Sequence, residues 1–299
     1  MPEVTIGVPV YNGADLLAES LECLVNQTFR DIEILIYDNA STDDTQQIAE
    51  SYAARDPRIR YVRRSENAGP WRNFLDPLER AASPYFMWRA HDDLSSLDYI
   101  EKLVAAMKAS PDARLATGTI EHVHRNARKT RLFVPQMPRP SIAAIEIVQL
   151  LFRSHAGWFY GLWDTATLRP ILPRIHAEFP HGWASDHLML YPVLLDRAVV
   201  AVPEVRFIQR VVVKEYTAKK GQKPPLAFML ELRQLFWDCC MRFLAERSFS
   251  WATRAVIKVA TWRYLGKRAY RVSTVLRRSL AERFYGIEKL GERTHTERS

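Results

Sequence analysis

The sequence predicts an α/β fold: a mostly parallel sheet flanked by helices on both faces. Two observations carry this. Over the first two-thirds of the chain, short apolar runs rich in β-branched residues alternate with segments of helical period, and strands separated by helices in this way pair in parallel. Three of those runs also end in polar or acidic clusters, at Pro9-Val10-Tyr11-Asn12-Gly13, at Asp38 to Asp44 and at His91-Asp92-Asp93. Ligands bind outside the C-terminal ends of the strands in sheets of this kind.

Taken in order, Val4–Val10 is a strand, and Ala14–Gln27 has helical spacing through Leu17, Leu21 and Leu24. Ile32–Tyr37 is a buried strand ending at Asp38. Thr42 or Asp43 then caps a helix running through Ile48 and Tyr52. Arg58–Val62 is a third strand and Tyr85–Arg89 a fourth. Between them Trp71–Ala82 is helical, with Pro77 kinking it or opening a new turn. Asp98–Lys108 is a helix and Ala113–Thr119 a strand. Asn126–Pro140, basic and punctuated by proline, is expected to be a loop. Ile142–Phe152 is a helix, Gly157–Trp163 an aromatic strand, Ser185–Leu195 a helix, and Ala198–Val202 a strand closed by Pro203. The polar stretch Lys214–Pro225 reads as a linker, and Leu226–Arg247 and the tail beyond it as helices. The expected organisation is a main domain over 1–213 and a helical C-terminal region over 214–299.

The chain has 299 residues, of which 47% are hydrophobic and 25% charged, enough to bury a substantial core and to exclude a disordered or disulfide-scaffold protein. The three cysteines, Cys23, Cys239 and Cys240, match no metal-ligand spacing and read as reduced thiols. The first residues form a strand rather than a signal peptide, and no apolar run is long enough to span a membrane. These features lead us to expect a cytoplasmic protein.

The net charge of +8 is concentrated at one end. Residues 251–299 hold twelve Lys and Arg against four Glu, and the rest of the chain balances to zero. Apolar residues in this tail, among them Val256, Val259, Trp262, Leu265, Val272, Leu276 and Leu280, recur at gaps of three and four. Arg254, Lys258, Lys267, Arg268 and Arg271 lie mostly off that stripe, and Trp251, Tyr264, Tyr270 and Tyr285 are interleaved. Such a helix can lie on the anionic inner face of a membrane as a peripheral anchor. The alternative is a stripe packed on the main domain with a solvated basic face. No nucleic-acid module precedes the tail, so no nucleic-acid partner is expected.

A carboxylate at a strand end can accept from a base edge or a ribose. A carboxylate pair after a neighbouring strand can hold a hard divalent cation through oxygen, and that cation can clamp a diphosphate. Each cluster also has a local reading: Asp38-Asn39 as a turn and helix cap, Asp92-Asp93 as a cap for the helix at Asp98. Three such clusters on one edge of one sheet favour the shared ligand site.

With these residues in view, the chain resembles the inverting glycosyltransferases of family 2, which have the GT-A nucleotide-diphospho-sugar-binding fold. The resemblance is carried by Val4 to Thr45 with its Asp38-Asn39-Ala40-Ser41-Thr42-Asp43-Asp44 run, by Asn67-Ala-Gly-Pro-Trp-Arg-Asn73, and by Tyr85 to Asp93. Tyr160-Gly161-Leu162-Trp163, Ala184-Ser185-Asp186-His187 and Val202-Pro203-Glu204-Val205 are similar to the acceptor-side half. One departure stands out. The family's acidic motif begins with an aspartate where this chain has Ala90, so the aspartate that usually contacts the donor ribose is missing.

The resemblance implies transfer of a hexose from a nucleotide-diphospho-sugar to a glycan or polyprenyl-linked acceptor in surface polysaccharide synthesis. About 1–120 would bind the donor and 121–213 the acceptor. Pro9, Tyr11, Asn12, Asp38, Asn39, Gly69, Arg72 and Asp92 would line the nucleotide, with Tyr11 stacking on the base. Asp92 and Asp93 would hold Mn2+ or Mg2+. Asp186 is the expected general base, in a setting near Trp183 and Met189 that raises its pKa; local sequence alone also reads it as a helix cap. His181 and His187 are the rival bases. Lys214, Lys219 and Lys220 would form a basic loop over the diphosphate. Ala90 leaves one other class open, a non-catalytic scaffold on the same fold.

Overall fold

The computed structural model of the chain describes residues 1–124, 130–211, 225–270 and 272–285. Residues 214–224 of the predicted linker, with Lys214, Lys219 and Lys220, Arg271 and the last residues of the tail lie outside them.

Strands β1 (Val4–Val10), β2 (Ile32–Asp38), β3 (Ile59–Arg63) and β4 (Tyr85–Trp88) pair in parallel in the order β3-β2-β1-β4. Helices α1 (Ala14–Val25), α2 (Thr45–Arg55) and α3 (Gly69–Arg80) connect them. Chain order therefore reverses beside β1, and the crevice there opens at the strand ends that carry the polar clusters. Pro9 fits inside this central strand because β4 stops at Trp88, opposite Gly7. The missing N–H falls beyond the last β1–β4 bond. Helix α3 passes through Pro77 without a break, and the proline ring lies against Gly7 on the sheet.

The sheet continues through β8 (Leu162–Asp164), β6 (Leu115–His124), β9 (Val199–Val211) and the two-residue β5 (Leu94–Ser95). Nine strands are present among the described residues, the ninth being β7 (Thr130–Phe133), which pairs antiparallel with β6. Part of the expected Asn126–Pro140 loop is thus a strand. Phe133 supplies the reason, since its ring packs on His122 and His155 at 4.8 and 4.3 Å.

Three further expectations are corrected. Gly157–Trp163 is not one strand: Ala156–Tyr160 forms a 3-10 turn, and β8 begins only at Leu162. Strand β9 does not end at Pro203, because that residue sits in a bulge beside Gly118, where no ladder N–H is required. A side chain at Gly118 would place its Cβ 2.7 Å from the Val205 carbonyl. Helix α2 starts at Thr45, with Asp43 accepting from the Thr45 and Ala14 amides.

Helices α4 (Tyr99–Ala109), α5 (Ala143–Arg153) and α7 (Ser185–Leu195) lie where the periodicity places them. Helix α6 (Thr165–Glu178) was not expected, since Pro170 and Pro173 mask its period. Its buried residues Leu168, Ile171, Leu172 and Ile175 nevertheless follow helical spacing, and Asp164 caps it by accepting from the Thr167 amide at 2.8 Å.

The C-terminal region packs on this body. Helix α8 (Leu226–Ala245) lies against α6 and α7, and α9 (Trp251–Arg268) against α5 and α8. The stripe predicted for the tail is divided between two environments: Ala260 and Leu265 face the core, with Ile257 and Tyr264 beside them, while Val256, Val259 and Trp262 are exposed. Tyr191 and Thr261 hydroxyls meet at 2.6 Å inside that contact. Helix α10 (Val272–Tyr285) follows. No helix among the described residues is long and apolar enough to cross a membrane.

Tyr264 is fully buried between Tyr191, His187 and Phe236. Tyr264→Ala is expected to cost about 3–5 kcal/mol, as truncations of buried aromatics do, and to lower the melting temperature of the full chain by several degrees. Removing 251–299 altogether should leave a chain that does not fold cooperatively, read by circular dichroism.

Candidate active site

The first two strand ends are tied together by side chains. Asp38 is fully buried; its Oδ1 accepts from the Ser41 amide at 2.8 Å and its Oδ2 from the Tyr61 hydroxyl at 2.7 Å. Asn12 stands in the left-handed region, φ 49°, which asparagine tolerates. Its amide donates to the Ser41 hydroxyl and its Oδ1 accepts from the Thr42 amide, fastening the β1 end to the β2 turn.

Asn39 reaches the other way, donating to Asn67 Oδ1 at 2.7 Å and to the Gly69 carbonyl at 3.2 Å, and accepting from the Ala68 amide at 2.9 Å. Gly69, with φ of +80°, then turns the chain into α3. Asp38, Asn12 and Asn39 therefore spend their hydrogen bonds on building the rim of the crevice. Tyr11 is exposed at that rim. The Arg72 guanidinium pairs with Asp76 and Glu79, both at 2.6 Å, along the flank of α3.

The third strand end carries the acidic motif. The His91 ring lies over Gly13, where a Cβ would come within 2.5 Å of the ring, so His91 packs on the β1 loop. Asp93 is buried and its Oδ1 accepts from the Arg210 amide at 3.0 Å. Burial first, and then the neighbouring Asp92 charge, push its pKa up to about 7. The fully buried Arg89, which donates to the Ser95 hydroxyl at 2.7 Å and stacks over Phe207, works against that rise. Asp92 is half-buried, and among the described residues its carboxylate has no hydrogen bond or ion pair, although its carbonyl accepts from Arg210.

A partnerless carboxylate beside a second one whose pKa is raised by burial and by the first one's charge suits a divalent cation. No group of three or more His, Cys, Asp or Glu among the described residues forms a metal cage. Two carboxylates would leave the remaining positions to phosphate oxygens and water, which is how Mg2+ and Mn2+ are commonly held.

Asp186 lies in the first turn of α7, after Ala184, whose φ of 66° turns the chain sharply into the helix. It lines a cavity of about 330 Å³ with Pro70, Trp71, Phe74, Phe159, Tyr160, Met189 and Gln209. Its Oδ1 accepts from the His187 amide at 2.7 Å. Burial raises its pKa, offset in part by that bond and by Arg268. Ala184, not Asp186, occupies the cap position. His187 is buried against Tyr264 and driven down to about 2, mainly by burial, so it stays neutral. His181 packs between Phe179 and Phe228.

Tyr160 joins the two halves. Its pKa is raised by burial and then by the charges of Asp93, Asp92 and Asp186, which places the hydroxyl within the field of all three carboxylates. Its ring stacks on Phe207 at 5.1 Å. Other contributors give no local signal in the sequence. Arg210 comes from the far end of β9 to hold the acidic motif. Trp71 and Phe74 wall the cavity. Tyr270, from the C-terminal region, lies parallel to the exposed Trp183 at 6.4 Å.

A family model described as glycosyl transferase family 2 matches residues 5–161, which include the whole rim and the acidic motif. The chain belongs to glycosyl transferase family 2. It is 29% identical over 231 residues to y4gI, an uncharacterized protein of Sinorhizobium fredii, a match covering 75% of this chain and 24% of that protein. It is 31% identical over 94 residues to a Campylobacter jejuni protein named GalNAc(5)-diNAcBac-PP-undecaprenol beta-1,3-glucosyltransferase, covering 31% of this chain and 30% of that one. The chain thus spans under a third of the length of either relative.

Among solved structures, S. aureus TarS in complex with UDP-GlcNAc superposes with a TM-score of 0.72 at 16% identity, over 94% of this chain and 77% of TarS. The mannosyltransferase PcManGT from Pyrobaculum calidifontis, in complex with GDP-Man and Mn2+, gives 0.51 at 16% identity, over 95% and 88%. These likenesses establish the GT-A fold for this family 2 member.

Proposed function

We propose that this family 2 chain is an inverting glycosyltransferase using a nucleotide-diphospho-sugar donor and a glycan or polyprenyl-linked acceptor, in surface polysaccharide or glycoconjugate synthesis. The observation that carries the reading is Tyr160, whose hydroxyl feels the acidic motif and Asp186 together. Tyr160 lines the cavity of Asp186, and the acidic motif is near enough for its charges to act on that hydroxyl. The names of the relatives and neighbours, which include UDP-GlcNAc, GDP-Man with Mn2+ and an undecaprenol-linked acceptor, support the substrate classes.

In this reading Pro9, Tyr11, Asn12, Asp38, Asn39 and Gly69 frame the nucleoside, with Asp38 holding the turn that shapes the frame. Asp92 and Asp93 would hold a divalent cation, which when bound supplies positive charge to the departing diphosphate. Asp186 takes the proton of the acceptor hydroxyl as that oxygen bonds to the anomeric carbon, on the face opposite the leaving group. The bond from that carbon to the diphosphate oxygen breaks, and its electron pair leaves with the diphosphate. Burial by Met189, Phe159 and Trp71 keeps Asp186 basic enough for the step. The apolar walls also exclude water that would compete with the acceptor. A lipid-linked acceptor would place the chain at the inner membrane face.

Thermal melts with UDP, GDP, dTDP and CDP, each with and without Mn2+ or Mg2+, test the donor half. A ligand that binds only the native state raises the melting temperature by mass action. A metal-dependent shift with one nucleotide is expected; no shift with any would turn the reading toward a scaffold. Trp183, 59% exposed and parallel to Tyr270, offers an aromatic face to the acceptor. Trp183→Ala is expected to raise acceptor KM about fivefold, corresponding to about 1 kcal/mol of ring contact, with donor KM unchanged.

A further inference from the structure

We propose that the outward face of α9 is a docking surface for an anionic lipid bilayer. A helix apolar on every side belongs in a core, yet α9 has only one face in the core. On the other, Trp251 is 84%, Val256 46%, Val259 60% and Trp262 52% exposed. Val256, Val259 and Trp262 follow at steps of three, and Trp251, eleven residues before Trp262, falls on the same side of the helix about three turns away. Two tryptophans on a solvent-facing helix are costly to leave in water, and their amphipathic rings suit the headgroup level of a membrane.

Charge selects the occupant. From Arg247 to Ala281 the sequence holds nine Lys and Arg and no Asp or Glu, and Lys258 and Arg263 are exposed beside the tryptophan line. Such a surface is complementary to anionic headgroups. A second copy of the chain docking by a two-fold axis would set this basic segment against itself, which like-charge repulsion opposes. A nucleic acid would find phosphate partners but meet valines in place of base-reading groups. The surface differs from the tail stripe read as a unit in sequence, because Leu265 of that stripe is already committed to the core. The proposal rests on the glycosyltransferase reading only for its purpose, which is to bring the site to a lipid-linked acceptor.

The test is flotation of the full chain with phosphatidylcholine vesicles containing about one-third phosphatidylglycerol, against phosphatidylcholine alone, at moderate salt. The chain is expected to float with the anionic vesicles and to lose most binding on the neutral ones. Tryptophan emission should shift to the blue and be quenched by brominated lipid. Trp251→Ser with Trp262→Ser should weaken binding by about tenfold or more with an unchanged melting temperature, since both rings face solvent. Lys258→Glu with Arg263→Glu should abolish the preference for anionic lipid. Failure of the wild type to float, or flotation of the tryptophan variant like the wild type, overturns the proposal. So does a dimer in solution that the tryptophan variant loses, or binding to nucleic acid in place of vesicles. None of these readouts uses turnover, so the result stands apart from the catalytic reading.

Discussion

Asp186→Asn is expected to lower kcat by about 10²–10⁴-fold, the usual contribution of a positioned general base, while donor binding and the fold persist. Asparagine keeps the oxygen that accepts from the His187 amide, so the start of α7 should hold. It has no lone pair basic enough to take a proton from a hydroxyl, so the loss falls on the chemical step. Donor binding can be read separately, by the nucleotide-induced melting shift.

The pH profile distinguishes this from a merely structural role. Asp186 must be ionised to act, and burial raises its pKa, so activity should fall on acidification at a pH above the ordinary carboxylate range. Stability follows the opposite sign. The folded state holds the proton more tightly than the unfolded state, so Asp186 makes stability decline as pH rises from the unfolded pKa through the folded one. Asparagine removes that slope, and the variant should gain stability relative to the wild type at neutral pH. Unchanged kcat in a folded Asp186→Asn protein would remove Asp186 as the base, whereas absence of turnover in the wild type would move the chain to the scaffold class.

Much of the strand-end rim was legible in the sequence, because its information is local. The β1, β2 and β4 runs, the polar clusters that follow them and the direction of a parallel sheet place three loops on one edge. The surroundings of the acidic motif and of Asp186 are assembled over long separations. Tyr160 comes from a 3-10 turn read as a strand, since its aromatic neighbours Trp158 and Phe159 mimic one. Arg210 approaches Asp93 from 117 residues away. Tyr270 and Arg268 reach the pocket region from a tail whose sequence advertises only its charge. Arg72 shows a local competition that spacing along α3 does make legible: Asp76 at i+4 and Glu79 at i+7 both pair with its guanidinium. Pro77 reads as a breaker in sequence, yet α3 continues through it with the ring packed on Gly7.

Asp92→Ala is expected to abolish the metal-dependent part of donor binding and to reduce turnover by about 10²-fold or more, the scale of losing a preorganised charge on a leaving group. The argument turns on the difference between the two carboxylates. Asp93 accepts from the Arg210 amide and is buried, so its removal would disturb the β5–β9 edge as well as any ligand. Asp92 has no such engagement among the described residues, and its loss should leave the melting temperature of the ligand-free chain nearly unchanged or slightly raised, as Asp93 is relieved of a like charge. The paired readouts separate the roles. Lost metal dependence with an intact fold identifies Asp92 as a ligand, whereas a collapse in stability would mean that the motif serves chiefly to seat Arg210 and close the sheet. Ala90 sharpens the test, because a motif short of one aspartate has fewer oxygens to replace those of Asp92.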